Sequence, residues 1–233
     1  MQREKITIDS FVHVYNRGNR KQLIVRDQKD KQHFLEMLYY FNDEFIAINP
    51  FRSLLKSNLN RFDWPLDWPK RKPLVKIITF SLLENHFHLF LKEIQEGGIT
   101  KFMRRLGTGM ANYFNTKYQE VGSLFQGSYK MKIVDEETYF KYLSVYIQVK
   151  NVFEMYPGGL RMAIKDFDKA YEWAIKYPYA SLVDYVSEKD SSIIDKDILG
   201  ELFSNPEEYK KFAKQCLVGM NLNDKLGKLT LED

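Results

Sequence analysis

A single cysteine, Cys216, serves a chain of 233 residues. No internal disulfide can form, which excludes a small scaffold held by cystines and makes a reducing, cytoplasmic setting the expectation. No apolar run approaches the roughly 20 residues that a membrane-crossing helix needs. The opening "MQREKITIDS" lacks the apolar stretch of a secretory leader. A membrane is therefore not an expected partner. Internal repeats and low-complexity tracts are missing too. Histidine is scarce, four residues in all, yet two of them stand one residue apart.

What the chain does have is a core and an uneven charge. Hydrophobic residues make up 44%, enough for one medium domain with an appendage. The net charge is +4, but from Arg161 onward 11 Lys and Arg meet 14 Asp and Glu, whereas the first 160 residues carry 24 against 17. A basic body with a mildly acidic tail suits an anionic partner for the body. Aromatics reach 15%. Rings beside cations suit single-stranded nucleic acid, and an aromatic-rich core is the plainer account of the same composition.

Periodicity outlines the elements. "KITIDSFVHVYNRGNRKQ" reads as a strand, with Ile6, Ile8, Val12 and Val14 alternating, that ends in a basic turn. "DQKDKQHFLEMLYYFND" reads as a helix with Asp30 as its N-cap. Residues 44–73 hold four prolines, six cations, Trp64 and Trp68, and read as a partly helical surface insertion. The two tryptophans suit stacking on bases or, more simply, anchoring the loop. "LVKIITFSLLENHFHLFLKE" is two strands joined by a tight turn near Glu84 and Asn85. "ITKFMRRLGTGMANYFNTKYQE" is a helix weakened at Gly107 and Gly109. A glycine-punctuated loop, a short strand and the helix "DEETYFKYLSVYIQVKNVFEMY" follow, and then the short helices "IKDFDKAYEWAI", "DKDILGELF" and "PEEYKKFAKQCLVGM". This order predicts an α+β fold, a ferredoxin-like antiparallel sheet with helices on one face, plus a C-terminal helical extension. The expected division is 1–160 for the main domain, with the 44–73 insertion, and 161–233 for the extension.

The paired histidines lie in "ENHFHLFL". Residues two apart on a strand share a face, so His86 and His88 stand together, with Phe87, Leu89 and Leu91 on the other side. Two imidazoles at strand spacing can hold one divalent metal ion, given further ligands from elsewhere. A surface pair on an edge strand is the simpler alternative.

Several stretches together resemble the HUH single-strand DNA transposases, most closely the REP-associated tyrosine transposase branch. "LLENHFHLFL" is similar to that family's His-hydrophobic-His strand. "FVHVYNRGNRKQLIVRDQKDKQHFLEML" is similar to its opening strand, Asn-Arg-Gly loop and first helix. "YFNTKYQEVGSLFQGSYKMKIVDEETYFKYLSVYIQVKNV" is similar to its Phe-Gln-Gly loop and tyrosine helix, and "YPYASLVDYV" to a stretch beyond. The resemblance implies a metal-dependent endonuclease and strand transferase that works through a 5′-phosphotyrosine at DNA hairpins. It implies Mg²⁺ or Mn²⁺ on His86 and His88, and Tyr146 as nucleophile, with Tyr142 as the fallback among Tyr139, Tyr142 and Tyr146. Relatives divide between dimers that exchange tyrosine helices and monomers; the branch resembled leans to a monomer, with a homodimer as the alternative.

Two positions depart from the family. Where it carries Asn or Gln four residues after the nucleophile, this chain has Lys150, and a protonated lysine has no lone pair for a metal. The alternatives are a metal held by two histidines and waters, a lysine acting directly on the phosphate, Asn151 serving through a local shift of the helix, or lost activity. Ser128 stands where the family often has Arg. For nucleic acid the candidates are Arg17, Asn19 and Arg20 in the basic turn, where Lys21 adds a further cation. Lys101, Arg104, Arg105, Lys130 and Lys150 complete the set. A domesticated relative that binds structured single strands without cutting them is the rival reading. An unrelated metal hydrolase is a third, for which the hairpin offers only Glu84 and Glu93 as carboxylates.

Overall fold

Val12 and Val14 alternate with Phe11, His13 and Tyr15, as Phe87, Leu89 and Leu91 do with His86, His88 and Phe90. Extended backbone sends such alternate sets to opposite faces. These two segments are the central strands of a four-stranded antiparallel sheet. The computed structural model of the chain describes residues 5–47, 50–51, 60–187, 191–203 and 205–219. The strands are β1 (Phe11–Arg17), β2 (Val75–Leu82), β3 (His86–Glu93) and β4 (Lys130–Val134), in the order β2-β3-β1-β4. Helix α1 (Gln28–Tyr40) follows β1 and α2 (Gly98–Tyr118) follows β3. The chain order βαββαβ with this strand order is the expected ferredoxin-like α+β arrangement.

Helices α1 and α2 cover one face. There Val12, Val14, Phe34, Leu38, Phe87, Leu89, Phe102 and Leu106 form a buried apolar cluster. Asp27, not Asp30, caps α1: its side chain accepts from the Asp30 amide, while Asp30 accepts in return from the amides of Arg26 and Asp27. The reciprocal pair starts the helix three residues earlier than Asp30 alone would. Nor does β1 reach Ile6 and Ile8. A turn closed by Thr7 and Ser10 precedes it and leaves Ile8 exposed. The buried Glu93 carboxylate accepts from the amides of Gly98 (3.1 Å) and Ile99 (2.7 Å), placing negative charge at the N-terminus of α2. That helix runs unbroken through Gly109, where a Cβ would run into the Phe41 ring. Close packing is what the glycine serves.

The opposite face carries one helix over 137–153, here α3. It comprises Glu137–Val145, a π-helical turn Tyr146–Lys150, and Asn151–Phe153. The helices α4 (Gly159–Lys165), α5 (Phe167–Ile175), α6 (Leu182–Val186), α7 (Asp197–Leu202) and α8 (Pro206–Lys214) follow. Phe90, Phe140, Tyr146, Val149, Phe153, Tyr171, Tyr209 and Cys216 build a second buried cluster here, so the extension packs on the sheet's second face through α3. It also covers the outer edge of β2. The Leu82 amide donates to Tyr179 O (2.8 Å), the Ser181 amide to Phe80 O (3.0 Å) and the Asp195 amide to Ile77 O (3.0 Å). An exposed strand edge is thereby paired.

In the insertion, Trp64 donates to Pro69 O (2.8 Å), stacks near Tyr40 and meets Trp68 edge-on, while Arg71 lies over Tyr39. Both tryptophans anchor the loop to α1. Part of the expected 44–73 insertion, residues 48–49 and 52–59, lies outside the described residues.

Candidate active site

Strand β3 puts His86 and His88 on the α3 side, as its period requires, with ring centroids 5.2 Å apart. Pairing with β1 sets Tyr15 opposite His88 and Arg17 opposite His86. His13, one pleat back, reaches diagonally across: its Nε2 lies 3.0 Å from His88 Nδ1. His88 thus contacts two β1 residues whose rings lie near-parallel to its own, Tyr15 at 5.4 Å and 15° and His13 at 5.2 Å and 22°.

Tyr146 comes down on this group from α3. Its ring is fully buried and edge-on to His88 at 5.5 Å and to His13 at 6.1 Å. Tyr142 instead packs against Phe212 of the extension at 5.4 Å, and Tyr139 is half-buried against the second cluster. Of the three tyrosines, Tyr146 is the one brought into ring contact with the histidines.

A wider helical turn begins at Tyr146 and includes Lys150. The Asn151 amide donates to Tyr146 O, a bond spanning five residues where an α-helix spans four. One residue is inserted, so the station one turn beyond the tyrosine passes towards Asn151. Asn151 is fully buried, and neither Oδ1 nor Nδ2 has a hydrogen-bond partner among the described residues. Lys150, 7% exposed, extends its Nζ to 4.9 Å from the Tyr146 ring centroid and pairs with Glu154 Oε1 at 2.6 Å.

Burial first, and then the neighbouring His13, His86, Lys150 and Arg17, hold His88 well below its ordinary 6.5. A neutral imidazole has one N–H and one lone pair. His86 Nδ1 lies 2.6 Å from Asn85 Oδ1, and Asn85 Nδ2 donates to Lys21 O (3.2 Å). That second bond orients the amide, so His86 Nδ1 is the donor and its lone pair sits on Nε2. His88 Nε2 is buried with no hydrogen-bond partner among the described residues. Two imidazole nitrogens therefore fit a cation whose other positions go to oxygen. Among the described residues no three His, Cys, Asp or Glu are grouped to hold a metal ion. Glu93 is spent on capping α2, and Glu84 is exposed in the turn. The carboxylates that a separate metal hydrolase would need are not gathered here.

The basic candidates separate into two groups. Arg17 is half-buried beside the histidines, Asn19 is half-buried with its amide donating to Leu124 O, and Arg20 is exposed. Lys130 is exposed, 5.6 Å from the Tyr15 ring. On the far face, Lys101 donates to Glu44 O and Arg105 to the carbonyls of Phe41, Asp43 and Glu44, so both hold the loop after α1. Arg104 is exposed and borders a cleft of about 450 Å³ that also includes Asn16, Leu124, Ser128 and Tyr129. His13 and Asn85 were not singled out in the sequence. The β1 alternation that buries Val12 and Val14 on one face was the available signal for His13.

Residues 69–150 match the family described as IS200-like transposases. The matched segment contains His86, His88, Tyr146 and Lys150 and ends just before Asn151. The chain matches no curated protein. A solved structure described as a REP-associated tyrosine transposase bound to a REP hairpin is similar at 9% identity and a TM-score of 0.48, over 84% of this chain and 93% of that one. Among the described residues, no helix is long and apolar enough to cross a membrane.

Proposed function

We propose, for a chain whose residues 69–150 fall in the IS200-like transposase family, that it is a metal-dependent single-stranded DNA endonuclease and strand transferase. Tyr146 is the nucleophile, and His86 and His88 are the protein ligands of Mg²⁺ or Mn²⁺. The observation that carries this reading is the Tyr146 ring buried 5.5 Å from His88, on the face that gathers the histidines.

The chemistry follows from these groups. Tyr146 Oη attacks phosphorus, an Oη–P bond forms to the 5′-phosphate, and the P–O3′ bond breaks. The phenolic proton is given up, and the leaving 3′ oxygen takes a proton to become a hydroxyl. The phosphotyrosyl link keeps the bond energy, so the reverse attack rejoins strands without a nucleotide cofactor. A bound divalent cation supplies polarisation of the scissile phosphate. Lys150, beside the ring, brings positive charge to the transferring group. Asn85 orients His86, and the inserted helical turn makes Asn151 the candidate oxygen ligand in place of Lys150.

Arg17, Asn19, Arg20, Arg104 and Lys130 take the DNA backbone, and Lys101 and Arg105 add charge while holding their loop. The preference for hairpins is carried over from the resemblance of the sequence stretches. A monomer suffices for this reading, because Tyr146 meets the histidines of its own chain.

A second reading, a non-cleaving binder of structured single strands, is favoured by one observation. Tyr146, His86 and His88 are all buried, and Lys150 lies across the tyrosine tied to Glu154. Incubation with labelled single-stranded hairpin DNAs and Mn²⁺ separates the two. A protease-sensitive protein–DNA adduct on a denaturing gel, lost in Tyr146→Phe, is the expected result. Salt-sensitive binding with no adduct from any hairpin would favour the binder.

A further inference from the structure

We propose that His13 is a positioning residue: its Nε2 accepts a hydrogen bond from His88 Nδ1–H and thereby keeps the His88 lone pair on Nε2, ready for a cation. This rests on the reading of His88 as a metal ligand. His13 and His88 are both fully buried on adjacent strands, 75 residues apart in sequence, with the two nitrogens 3.0 Å apart. A contact between neutral imidazoles holds one proton, and its ownership has consequences. If His13 donated, the His88 proton would sit on Nε2, leaving a buried N–H where no acceptor stands among the described residues. Orphaned buried N–H groups are rarer than under-used acceptors, and an N–H cannot bind a cation. If His88 donates, Nε2 carries the lone pair that a ligand requires.

His86 supports this direction. Its Nδ1 must donate, because the partner is the carbonyl oxygen of Asn85. Both members of the pair then have Nδ1 tied and Nε2 in the ligating form, by two devices. A carboxamide in the turn serves His86, and an imidazole from the neighbouring strand serves His88. Tyr15, directly across from His88 on β1, lies near-parallel to its ring at 5.4 Å and adds a second contact from the strand that carries His13. Metal-bound histidines generally have their second nitrogen held in this manner.

The test uses the full chain and His13→Gln, His13→Leu and His88→Ala. Gln offers an acceptor at a similar reach, and Leu offers none. Long-range ¹H–¹⁵N correlation of the imidazoles in metal-free protein reads the tautomer, and a titration with Mn²⁺ followed by electron paramagnetic resonance reads affinity. The expected result is the Nδ1–H form of His88, with Mn²⁺ binding weakened about 10–100-fold in His13→Leu and within about threefold of native in His13→Gln. An Nε2–H form of His88 overturns the proposal. So does native-like Mn²⁺ binding by folded His13→Leu, or equal loss in both His13 variants. If His88→Ala binds Mn²⁺ like the native chain, the metal reading has failed, and the tautomer measured without metal still decides the role of His13. Should His13→Leu not fold, the tautomer and His13→Gln carry the decision.

Discussion

On one face of β3, Phe87, Leu89 and Leu91 sit among the aliphatic and aromatic side chains of α1 and α2; on the other, His86 and His88 meet His13, Tyr15 and Tyr146. Both faces are buried to the same degree. They differ in what burial does. Each apolar side chain removed from water stabilises the fold by about 1.5–3 kcal/mol. A buried polar atom without a partner costs about 1–3 kcal/mol, and the second face holds His88 Nε2 and the Asn151 carboxamide in that condition. A sheet needs no such groups to fold. Departures from local rules of stability are expected where chemistry is done.

Breaking this contrast starts with the proposed nucleophile. Tyr146→Phe keeps the ring and removes the hydroxyl; adduct formation should fall on the order of 1000-fold or more, while stability changes by no more than the roughly 0.5–1.5 kcal/mol of one hydrogen bond. Leu89→Ala on the apolar face should do the reverse. A loss of about 2–5 kcal/mol in urea unfolding is expected, with adduct yield per folded molecule unchanged. Equal effects of the two changes on both readouts would erase the distinction between faces.

Acid should act through the polar face. His88, with His13, Arg17, His86 and Lys150 around it, is held well below 6.5 in the folded chain. Below about pH 6.5 the unfolded chain therefore binds a proton there that the folded chain refuses. Stability should fall as pH falls, by up to about 1.4 kcal/mol per pH unit, and His88→Gln should flatten that slope in urea titrations across pH 5–7. Glu154→Gln removes the partner of the nearly buried Lys150 ammonium; because Glu154 is partly exposed, a loss of about 1 kcal/mol is expected from the same measurement. The smallest effects belong to the exposed cations. Arg104→Ala and Lys130→Ala should each reduce the slope of log affinity against log salt for hairpin DNA by about 1. An unchanged slope in either would remove that residue from the DNA path.

Much of the fold was legible. Alternation in "FVHVY" and "HFHLFL" marked the central strands and their faces, and the order of helices and strands marked the ferredoxin-like layout. The resemblance to single-strand transposases is borne out over residues 69–150. Boundaries set by hydrogen bonding were less legible. Asp27 and not Asp30 begins α1, and a turn at Thr7–Ser10 excludes Ile6 and Ile8 from β1. "IKDFDKAYEWAI" divides at Asp166 into α4 and α5. Lys210 and Lys214 of α8 pair with Asp168 and Glu172 of α5, contacts invisible without the packing.

By itself the sequence determined that His86 and His88 share a face, because side-chain direction in a strand depends only on a two-residue period. Three matters were left to the tertiary structure. His13 joins the pair only through the register of β1 on β3, a pairing between residues 75 apart. Tyr146 meets the histidines, whereas Tyr142, one turn earlier on the helix, meets Phe212 of the extension. Asn151 moves towards the station one turn beyond Tyr146 through one inserted residue in the helix. Side-chain period is a property of neighbouring residues; strand register and helical winding are settled by contacts between distant ones.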